Sequence, residues 1–341
     1  MNDHLSSEIC SSLTIGGLES NSLTIQEKDF IKTHQPSGVT LFARNIEKPN
    51  EIKKLEPIKD LTKCLSSKNP PFIVAIDQEG GTVARLKHPS ADPGPCLTLA
   101  DGKTDKASLE KLKSYGMEMG RSLLRSGFNV DFAPSVDTTS SNKPSECAIN
   151  TRAFGFSTEE VIPRAQAFLQ GLQQSGIYGC IKHFPGLGGV SIDTHKHTAI
   201  AHHSKEELQS KHMLPFTKLH SQAQMVMVSH CIYPKICPYE ASRSHTIMTK
   251  ILREKLKFQG LVVSDDLGMN AVSSANISWE EYIIQSISAG CDLLLICEGL
   301  EQWKIACHVI ELEAKKNPSF KKRVLESYER IQKFRKKLPS C

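Results

Sequence analysis

The chain has 341 residues, a net charge of +5 at neutral pH and 39% hydrophobic residues. This length exceeds that of a typical domain, but α/β barrels routinely reach it as one unit. Much of the positive charge lies near the end, in KKRVLESYERIQKFRKKL, where no aromatic-interleaved basic patch of the kind that binds nucleic acid accompanies it. We therefore predict no nucleic-acid partner.

Signals for export or membrane insertion are missing from the sequence. The first segment, MNDHLSSEICSSLTIGG, carries acidic residues and no continuous apolar core, unlike a secretory signal. No stretch approaches the roughly 20 apolar residues of a membrane span. Eleven cysteines occur, none in a C-x-x-C pair and many in apolar runs, which favours buried thiols over disulfides. We expect a cytoplasmic protein without a membrane partner, monomeric or weakly oligomeric.

Short apolar runs alternate with amphipathic stretches along the chain. They predict strands at 13–15, 38–41, 72–76, 130–132, 179–182, 225–229, 261–264 and 292–296. Helices are predicted at 105–125, 158–174, 205–221 and 279–288. A last helix at about 318–337 should pack on the body through Val324, Leu325, Tyr328, Ile331 and Phe334. About eight alternations predict an α/β fold, a single-domain (β/α)8 TIM-type barrel over residues 1–341.

Several predicted strands end in a polar or charged residue. Asp77, Asp131, Lys182, His230 and Asp265 all lie at or just past a strand's carboxyl end. Barrel enzymes place their catalytic groups at that end, so these side chains are expected on one rim. For His230 we favour a hydrogen-bonded core histidine over a functional role.

The segment KHFPGLGGVSIDTH, residues 182–195, combines charged groups with a glycine-rich turn. In extended chain Asp193 and His195 point to the same side and can touch. A carboxylate beside an imidazole fixes its tautomer and raises its basicity, which suits a general acid/base. The glycines would let this loop move over a substrate. The alternative is an ordinary surface histidine in a glycine-rich loop.

Two carboxylates follow the predicted strand in LVVSDDLGM, residues 261–269. A Ser-Asp-Asp after a strand is also typical of a helix N-cap, in which a side-chain oxygen accepts backbone amides. A cap explains one acid and leaves the other unexplained. We predict that Asp265 is the ionised carboxylate facing a pocket and that Asp266 supports it or caps the next turn.

Ordered sequence blocks resemble family 3 of the glycoside hydrolases, in particular its single-domain β-N-acetylhexosaminidases. The blocks are PSGVTLFARNI, AIDQEGGTVARL, GFNVDFAPSVD, NTRAFG, KHFPG, DTH, VSHCIYP and SDDLGM, which run from residue 36 to residue 269. Each block alone is weak, whereas the whole series in order is specific. The resemblance implies a retaining, exo-acting β-N-acetylglucosaminidase, with peptidoglycan fragments from muropeptide recycling as the expected substrates.

The resemblance also implies a role for individual residues. It makes Asp265 the nucleophile that forms a covalent glycosyl-aspartate, and His195 the acid/base with Asp193 as its orienting partner. The residues that it assigns to sugar binding are Asp77, Arg85, Arg152, Lys182 and His183. This chemistry needs an ionised carboxylate at the anomeric carbon and a proton donor for the leaving oxygen. No cofactor is implied.

The chain departs from the family pattern in the same loop. Family loops commonly read KHFPGHGD, whereas Leu187 and Gly189 stand here at the positions of the second His and the Asp. A proline usual a few residues beyond the DSH is also missing, since residues 197–200 read HTAI. The departures do not involve a residue assigned to bond making, but they predict a different rate or substrate range.

Other functions stay open from the sequence. A β-glucosidase, a phosphorylase of the same family and a sugar-binding barrel without turnover are the alternatives. Histidines at 195, 197, 202, 203 and 212 cluster in sequence, but they match no H-E-x-x-H or Cys/His pattern, so no metal site is predicted. Trp279 and Trp303 lie in helical stretches and are predicted to be packing residues.

Overall fold

The computed structural model describes residues 6–65, 70–139, 149–190, 199–269, 272 and 275–339. Within them, eight parallel strands close into a barrel in the order β1-β2-β3-β4-β5-β6-β9-β10. The barrel strands are β1 Thr14–Gly17, β2 Gly38–Leu41, β3 Ile73–Ile76, β4 Val130–Asp131, β5 Tyr178–Phe184, β6 Met225–Val228, β9 Leu261–Asp266 and β10 Leu293–Ile296. A separate hairpin joins β7 Ile232–Tyr233 to β8 Cys237–Glu240.

Helices precede, connect and follow the barrel strands. They are α1 Ser7–Ser11, α2 Ile25–His34, α3 Glu56–Cys64, α4 Lys106–Ser126, α5 Thr158–Gln174, α6 Lys205–Glu207, α7 Leu214–Leu219, α8 Trp279–Ala289, α9 Leu300–Lys316 and α10 Pro318–Arg335. Two π-helical segments, Leu208–His212 and Thr246–Lys255, precede α7 and β9. None of the described helices is long and apolar enough to cross a membrane.

Burial on both faces explains the composition of the strands. β3 reads IVAI and β10 reads LLLI, and every residue of both strands is buried. Strands of a parallel barrel are covered by helices outside and by side chains inside, so they are apolar throughout. Local signals start and stop the helices: Asp105 caps the first turn of α4, and Gly127 ends it at φ 96°, where a side chain would be strained.

The predicted (β/α)8 barrel is confirmed, and each predicted strand overlaps an observed one. The helix predicted over 205–221 is instead three short pieces, because the backbone changes to π-helical hydrogen bonding at Leu208 and restarts before Pro215. The hairpin was not predicted. The last helix is present, but Leu325 and Tyr328 are only half-buried, while Phe320 and Ser327 complete the inward face.

A buried acid holds the last helix against the amino-terminal end of the barrel. Asp292, directly before β10, accepts hydrogen bonds from Ser327 (2.9 Å) and from the backbone N–H of Val262 (3.0 Å). Three guanidinium groups pair with the same carboxylate, those of Arg253, Arg323 and Arg330. Burial by itself raises the pKa of this carboxyl group, but the three cations hold the pKa below its ordinary value.

Candidate active site

A pocket opens at the carboxyl ends of the barrel strands. Asp77 follows β3, Lys182 and His183 lie near the end of β5, and Asp265 lies near the end of β9. The residues that line it are Thr40, Phe42, Asp77, Glu79, Val83, Arg85, Arg152, Lys182, His183, Met227, Asp265, Asp266, Leu295 and Cys297. The structure thus brings Asp265 together with all five residues predicted to bind the sugar.

Four charged side chains form a buried network in this pocket. Lys182 pairs with Asp77 (2.7 Å) and with Glu79 (2.6 Å). Arg152 donates from both Nε (2.9 Å) and Nη2 (2.8 Å) to the two carboxylate oxygens of Glu79. Bidentate pairing of this kind fixes the position of the guanidinium plane. Two acids and two cations balance, so the network has no net charge.

Glu79 and Lys182 keep their charges over a wide pH range. Burial acts to raise the pKa of Glu79, but Arg152 and Lys182 outweigh it and hold the pKa below its ordinary value. Burial acts to lower the pKa of Lys182, but Asp77 and Glu79 outweigh it and raise the pKa. Lys182 and Glu79 are 2% and 1% exposed at their side chains, whereas Asp77 is 21% exposed and reaches the open part of the pocket.

His183 is held in one orientation by groups on both sides of its ring. Its Nδ1 lies 2.8 Å from Asp137 Oδ2, and its Nε2 lies 3.3 Å from Arg152 Nη2. A guanidinium group can only donate, so Nε2 accepts and Nδ1–H donates to Asp137. Asp137 also accepts from the backbone N–H groups of His183 (2.9 Å) and Leu187 (2.7 Å). The ring is therefore a rigid part of the pocket wall.

The two carboxylates of the SDD element have different surroundings. Asp266 Oδ1 accepts from the backbone N–H groups of Gly268 (3.0 Å) and Cys297 (3.1 Å), which ties the turn after β9 to the end of β10. Asp265 Oδ1 accepts from the N–H of Asp266 at 2.9 Å, and its side chain lines the pocket. Burial raises the pKa of Asp266. Of the two carboxylates, Asp266 is thus the one that caps the backbone amides of the turn, and Asp265 is the one that faces the pocket.

Arg85 brings a further cation to the pocket. Its guanidinium carbon lies 5.7 Å from the centre of the Phe42 ring, within the range of a cation–π contact. Its Nε is buried and has no hydrogen-bond partner among the residues that the structure describes. A buried donor without an acceptor is costly, and an oxygen of a bound ligand would satisfy it.

Residues 186–190, which open the glycine-rich loop, are well anchored. Tyr233 donates to the carbonyl of Gly186 at 2.8 Å, and the Leu187 N–H binds Asp137. The Leu187 side chain is buried in the apolar core, and Gly189 has φ 75°, a conformation that disfavours an Asp. Asp193 and His195, the predicted acid/base pair, lie outside the described residues.

Two of the expected rim residues lie below the pocket. Asp131 is fully buried; its Oδ1 accepts from the N–H of Gln78 (3.0 Å), and burial raises its pKa well above the ordinary value. His230 is also buried and bonds Ser242 (2.7 Å) and the carbonyl of Asp266 (3.1 Å). His230 is therefore the core histidine that we predicted, and Asp131 does not line the pocket, because its side chain points under the β3 turn.

Sequence reasoning missed two acids that organise the site. Glu79 comes two residues after Asp77 in DQEGG, and Asp137 ends the block GFNVDFAPSVD. In extended chain, residues two apart point to the same side, so the position of Glu79 two residues after Asp77 indicates the same pocket. Asp137 follows β4, and residues after the carboxyl end of a barrel strand are candidates for the site. Trp303 is buried with its N–H bonded to Thr14 (2.7 Å), and Trp279 bonds the Leu267 carbonyl (3.2 Å), which confirms both as packing residues.

The fold and the pocket define a class of protein. A carboxylate faces several cations and a second acid at the carboxyl end of a TIM barrel, where enzymes of this fold carry their chemistry. Forked donors and carboxylates together suit a ligand with neighbouring hydroxyl groups. This arrangement is typical of a barrel enzyme that acts on a carbohydrate.

Comparisons with known proteins identify the family. The N-terminal domain of glycosyl hydrolase family 3 matches residues 13–334. A β-hexosaminidase of Stenotrophomonas maltophilia (strain K279a) is 34% identical over 285 residues, which are 82% of this chain and 82% of that protein. The chain therefore belongs to family 3 of the glycoside hydrolases. The predicted family and the predicted glycosidase class are confirmed, and the curated relatives carry the name of the predicted β-hexosaminidase branch.

Solved structures agree with this assignment. The crystal structure of a β-N-acetylhexosaminidase from Beutenbergia cavernae has a TM-score of 0.86 at 26% identity, covering 98% of this chain and 99% of that one. A family 3 β-N-acetylglucosaminidase from Paenibacillus sp. str. FPU-7 has a TM-score of 0.84 at 27% identity. That match covers 97% of this chain, which spans 63% of the Paenibacillus protein.

Proposed function

We propose that this enzyme is a retaining exo-β-N-acetylglucosaminidase that removes terminal β-linked N-acetylglucosamine from peptidoglycan fragments during cytoplasmic muropeptide recycling. The single observation that carries the proposal is the convergence of Asp265 with Asp77, Arg85, Arg152, Lys182 and His183 in one pocket. These are the residues that the family resemblance assigned to bond cleavage and sugar binding. Relatives named β-hexosaminidase support the choice of sugar.

Asp265 is the proposed nucleophile. Cleavage of a glycosidic bond builds positive charge at the anomeric carbon, and an ionised carboxylate on one face can trap that carbon as a glycosyl ester. The hydrogen bond from the Asp266 N–H orients one of its oxygens. Because Asp266 is committed to the two backbone amides of Gly268 and Cys297, it is a poor candidate for the same role.

His195 and Asp193 are the proposed acid/base pair, by resemblance alone. In this scheme His195 protonates the leaving oxygen and then activates the water that hydrolyses the glycosyl-enzyme. The pair takes the place of the second carboxyl group that most glycosidases use. The charged network of Lys182, Glu79 and Arg152 holds the sugar hydroxyls and the acetamido group at the bottom of the pocket.

The size of the pocket supports exo action. Its cavity encloses about 120 Å³, whereas pockets for drug-sized ligands usually enclose roughly 300–1,000 Å³. One terminal sugar ring suits such a cavity better than an internal stretch of a polymer does. The leaving group would then lie outside the cavity.

A substrate comparison tests the proposal. Hydrolysis of an aryl β-N-acetylglucosaminide should greatly exceed that of the matched aryl β-glucoside, and added phosphate should leave the rate and the product unchanged. A preference for the glucoside would favour a β-glucosidase. Formation of a sugar phosphate would favour a phosphorylase, and binding of N-acetylglucosamine without turnover would favour a sugar-binding barrel. Release of N-acetylglucosamine from purified muropeptide fragments tests the natural substrate.

A second measurement addresses the acid/base. His195→Ala should lose most activity on substrates with poor leaving groups, yet keep much of the glycosylation rate on activated aryl glycosides, whose departure needs little protonation. His202→Ala is the matched control, because this histidine is exposed and outside the proposed machinery. Equal losses on both substrate types in His195→Ala would remove the histidine from the acid role.

A further inference from the structure

Folding brings three potential metal ligands together beside the glycine-rich loop. His203, Glu207 and His212 each offer one ligand atom, and these atoms lie within 4.8 Å of one another. Glu207 reaches both histidines, with Oε2 3.6 Å from His203 Nδ1 and Oε1 3.8 Å from His212 Nε2. The π-helical turn Leu208–His212, closed by the Met213 N–H to Leu208 carbonyl bond (2.7 Å), sets His212 five residues beyond Glu207 on this side.

An unsatisfied side chain points independently to a ligand. His212 is 2% exposed, and neither ring nitrogen has a hydrogen-bond partner within the described part of the chain. Buried polar groups are nearly always paired, so a histidine with two open nitrogens is a candidate to bind a ligand. Its Nδ1 faces Gly188, where an added Cβ would lie 2.5 Å away, and its Nε2 faces Glu207. Nε2 of His212 is therefore the nitrogen that points towards Glu207 and His203.

His203 is already arranged as a metal ligand would be. Its Nε2 lies 2.9 Å from the carbonyl oxygen of Gly188, to which it donates. Because a carbonyl only accepts, Nε2 carries a hydrogen, and Nδ1 is the nitrogen that faces Glu207 and would bind a metal. Metal-binding histidines commonly donate their second nitrogen to a backbone carbonyl in this way. The His203 ring also stacks on His212, with 4.0 Å between centroids, which holds the two histidines side by side.

We propose that His203, Glu207 and His212 bind a divalent cation of the zinc class. Two imidazoles and one carboxylate suit Zn²⁺ and similar ions, whereas Ca²⁺ and Mg²⁺ prefer all-oxygen sites. Zinc bonds of about 2.0–2.1 Å require the three ligand atoms to move closer, so both imidazole rings must shift slightly as the half-exposed Glu207 side chain rotates towards them. Three protein ligands leave a fourth position for water.

The site is separate from the pocket but connected to it. None of its three ligands lines the pocket. Through His203 the ion is joined to the carbonyl of Gly188, in the turn that continues β5, the strand of Lys182 and His183. Bound ion therefore stabilises that turn in the folded protein, and the thermal midpoint should rise with zinc concentration.

The test is a zinc titration of the untagged, chelator-stripped full chain by calorimetry. We expect one equivalent bound by the wild type, and at least a tenfold weaker affinity in His212→Gln and Glu207→Gln. Matched controls are His202→Gln and Glu206→Gln, which change exposed neighbours and should retain the wild-type affinity. Asp265→Asn should also retain it, which separates this site from the acids of the pocket.

Thermal unfolding gives a second measurement. Zinc should raise the midpoint of the wild type and of both controls but not that of Glu207→Gln, whose exposed side chain can change without disturbing the fold. X-ray absorption at the zinc edge should count two imidazole ligands. Equal zinc affinity in His212→Gln and His202→Gln, or no saturable binding by the wild type, would overturn the proposal.

Discussion

Each end of the barrel has a group of buried ion pairs, but only the group at the carboxyl end lines a cavity. At the amino-terminal end, Asp292 is enclosed by three arginines, a serine and a backbone amide. At the carboxyl end, the network of Lys182, Asp77, Glu79 and Arg152 lines the pocket together with Asp265. One group is closed around a single acid, and the other presents charged atoms to a cavity.

The comparison separates structural from functional ion pairs. The closed group ties α10 and β10 to the body, because Arg323 and Ser327 of α10 reach the carboxylate that precedes β10. In the open group, Glu79 is held by both Arg152 and Lys182, and Lys182 also pairs with Asp77, so these four side chains fix one another's positions. Substitutions at the closed end should therefore affect stability, and substitutions at the open end should affect turnover.

The largest effect is expected at Asp265. Asp265→Ala should reduce kcat by roughly 10⁴-fold to 10⁶-fold, the range seen when single members of a covalent catalytic unit are removed. The thermal midpoint should stay close to that of the wild type, since Asp266 and not Asp265 holds the turn to β10. Steady-state kinetics with thermal unfolding measures both. Full activity in the variant would exclude Asp265 as the nucleophile.

The reverse pattern is expected at Asp292. Asp292→Asn leaves three partly buried guanidinium groups without their counter-charge, which should lower the free energy of unfolding by up to about 3–5 kcal/mol, the cost of breaking a fully buried pair. The kcat of the folded fraction should not change, because Asp292 lies at the far end of the barrel from the pocket. Urea unfolding and kinetics at low temperature check this. A large loss of kcat with unchanged stability would contradict the division between the two ends.

A pair of matched arginine substitutions sharpens the comparison. Arg152→Lys keeps the charge but loses the bidentate grip on Glu79, so kcat/KM should fall about tenfold to hundredfold, in line with one or two charge-assisted hydrogen bonds. Arg253→Lys makes the same change at the closed end, where the arginine binds Asp292 and the Phe258 carbonyl. Arg253→Lys should lower the free energy of unfolding and leave kcat/KM unchanged. If both variants change kcat/KM equally, Arg152 does not have the proposed role in sugar binding.

The smallest effect concerns pH. Asp292 has a depressed pKa when folded, so its contribution to stability is present above the unfolded pKa of about 3.9 and is lost as pH falls through the folded value. The difference in unfolding free energy between the wild type and Asp292→Asn should therefore be constant from neutral pH to about pH 5 and shrink below about pH 4. A difference that grows on acidification would have the wrong sign.

Sequence patterns predicted the parts of this protein that depend on local order. Apolar runs found the strands because barrel strands are buried on both faces, and strand ends located Asp77, Lys182 and Asp265. The patterns did not find Glu79 and Asp137, whose roles depend on contacts with Arg152 and His183 far along the chain. The histidine pair at 203 and 212 matched no known spacing, because a π-helical turn creates its geometry.

The most direct test of the account is to trap the covalent intermediate. An N-acetylglucosaminyl substrate with a ring fluorine and an activated leaving group should form the glycosyl-enzyme faster than water releases it. Mass spectrometry of peptides should then find one added sugar, on the peptide that contains Asp265, and none in Asp265→Ala. A sugar attached to another residue, or rapid turnover by Asp265→Ala, would contradict the account.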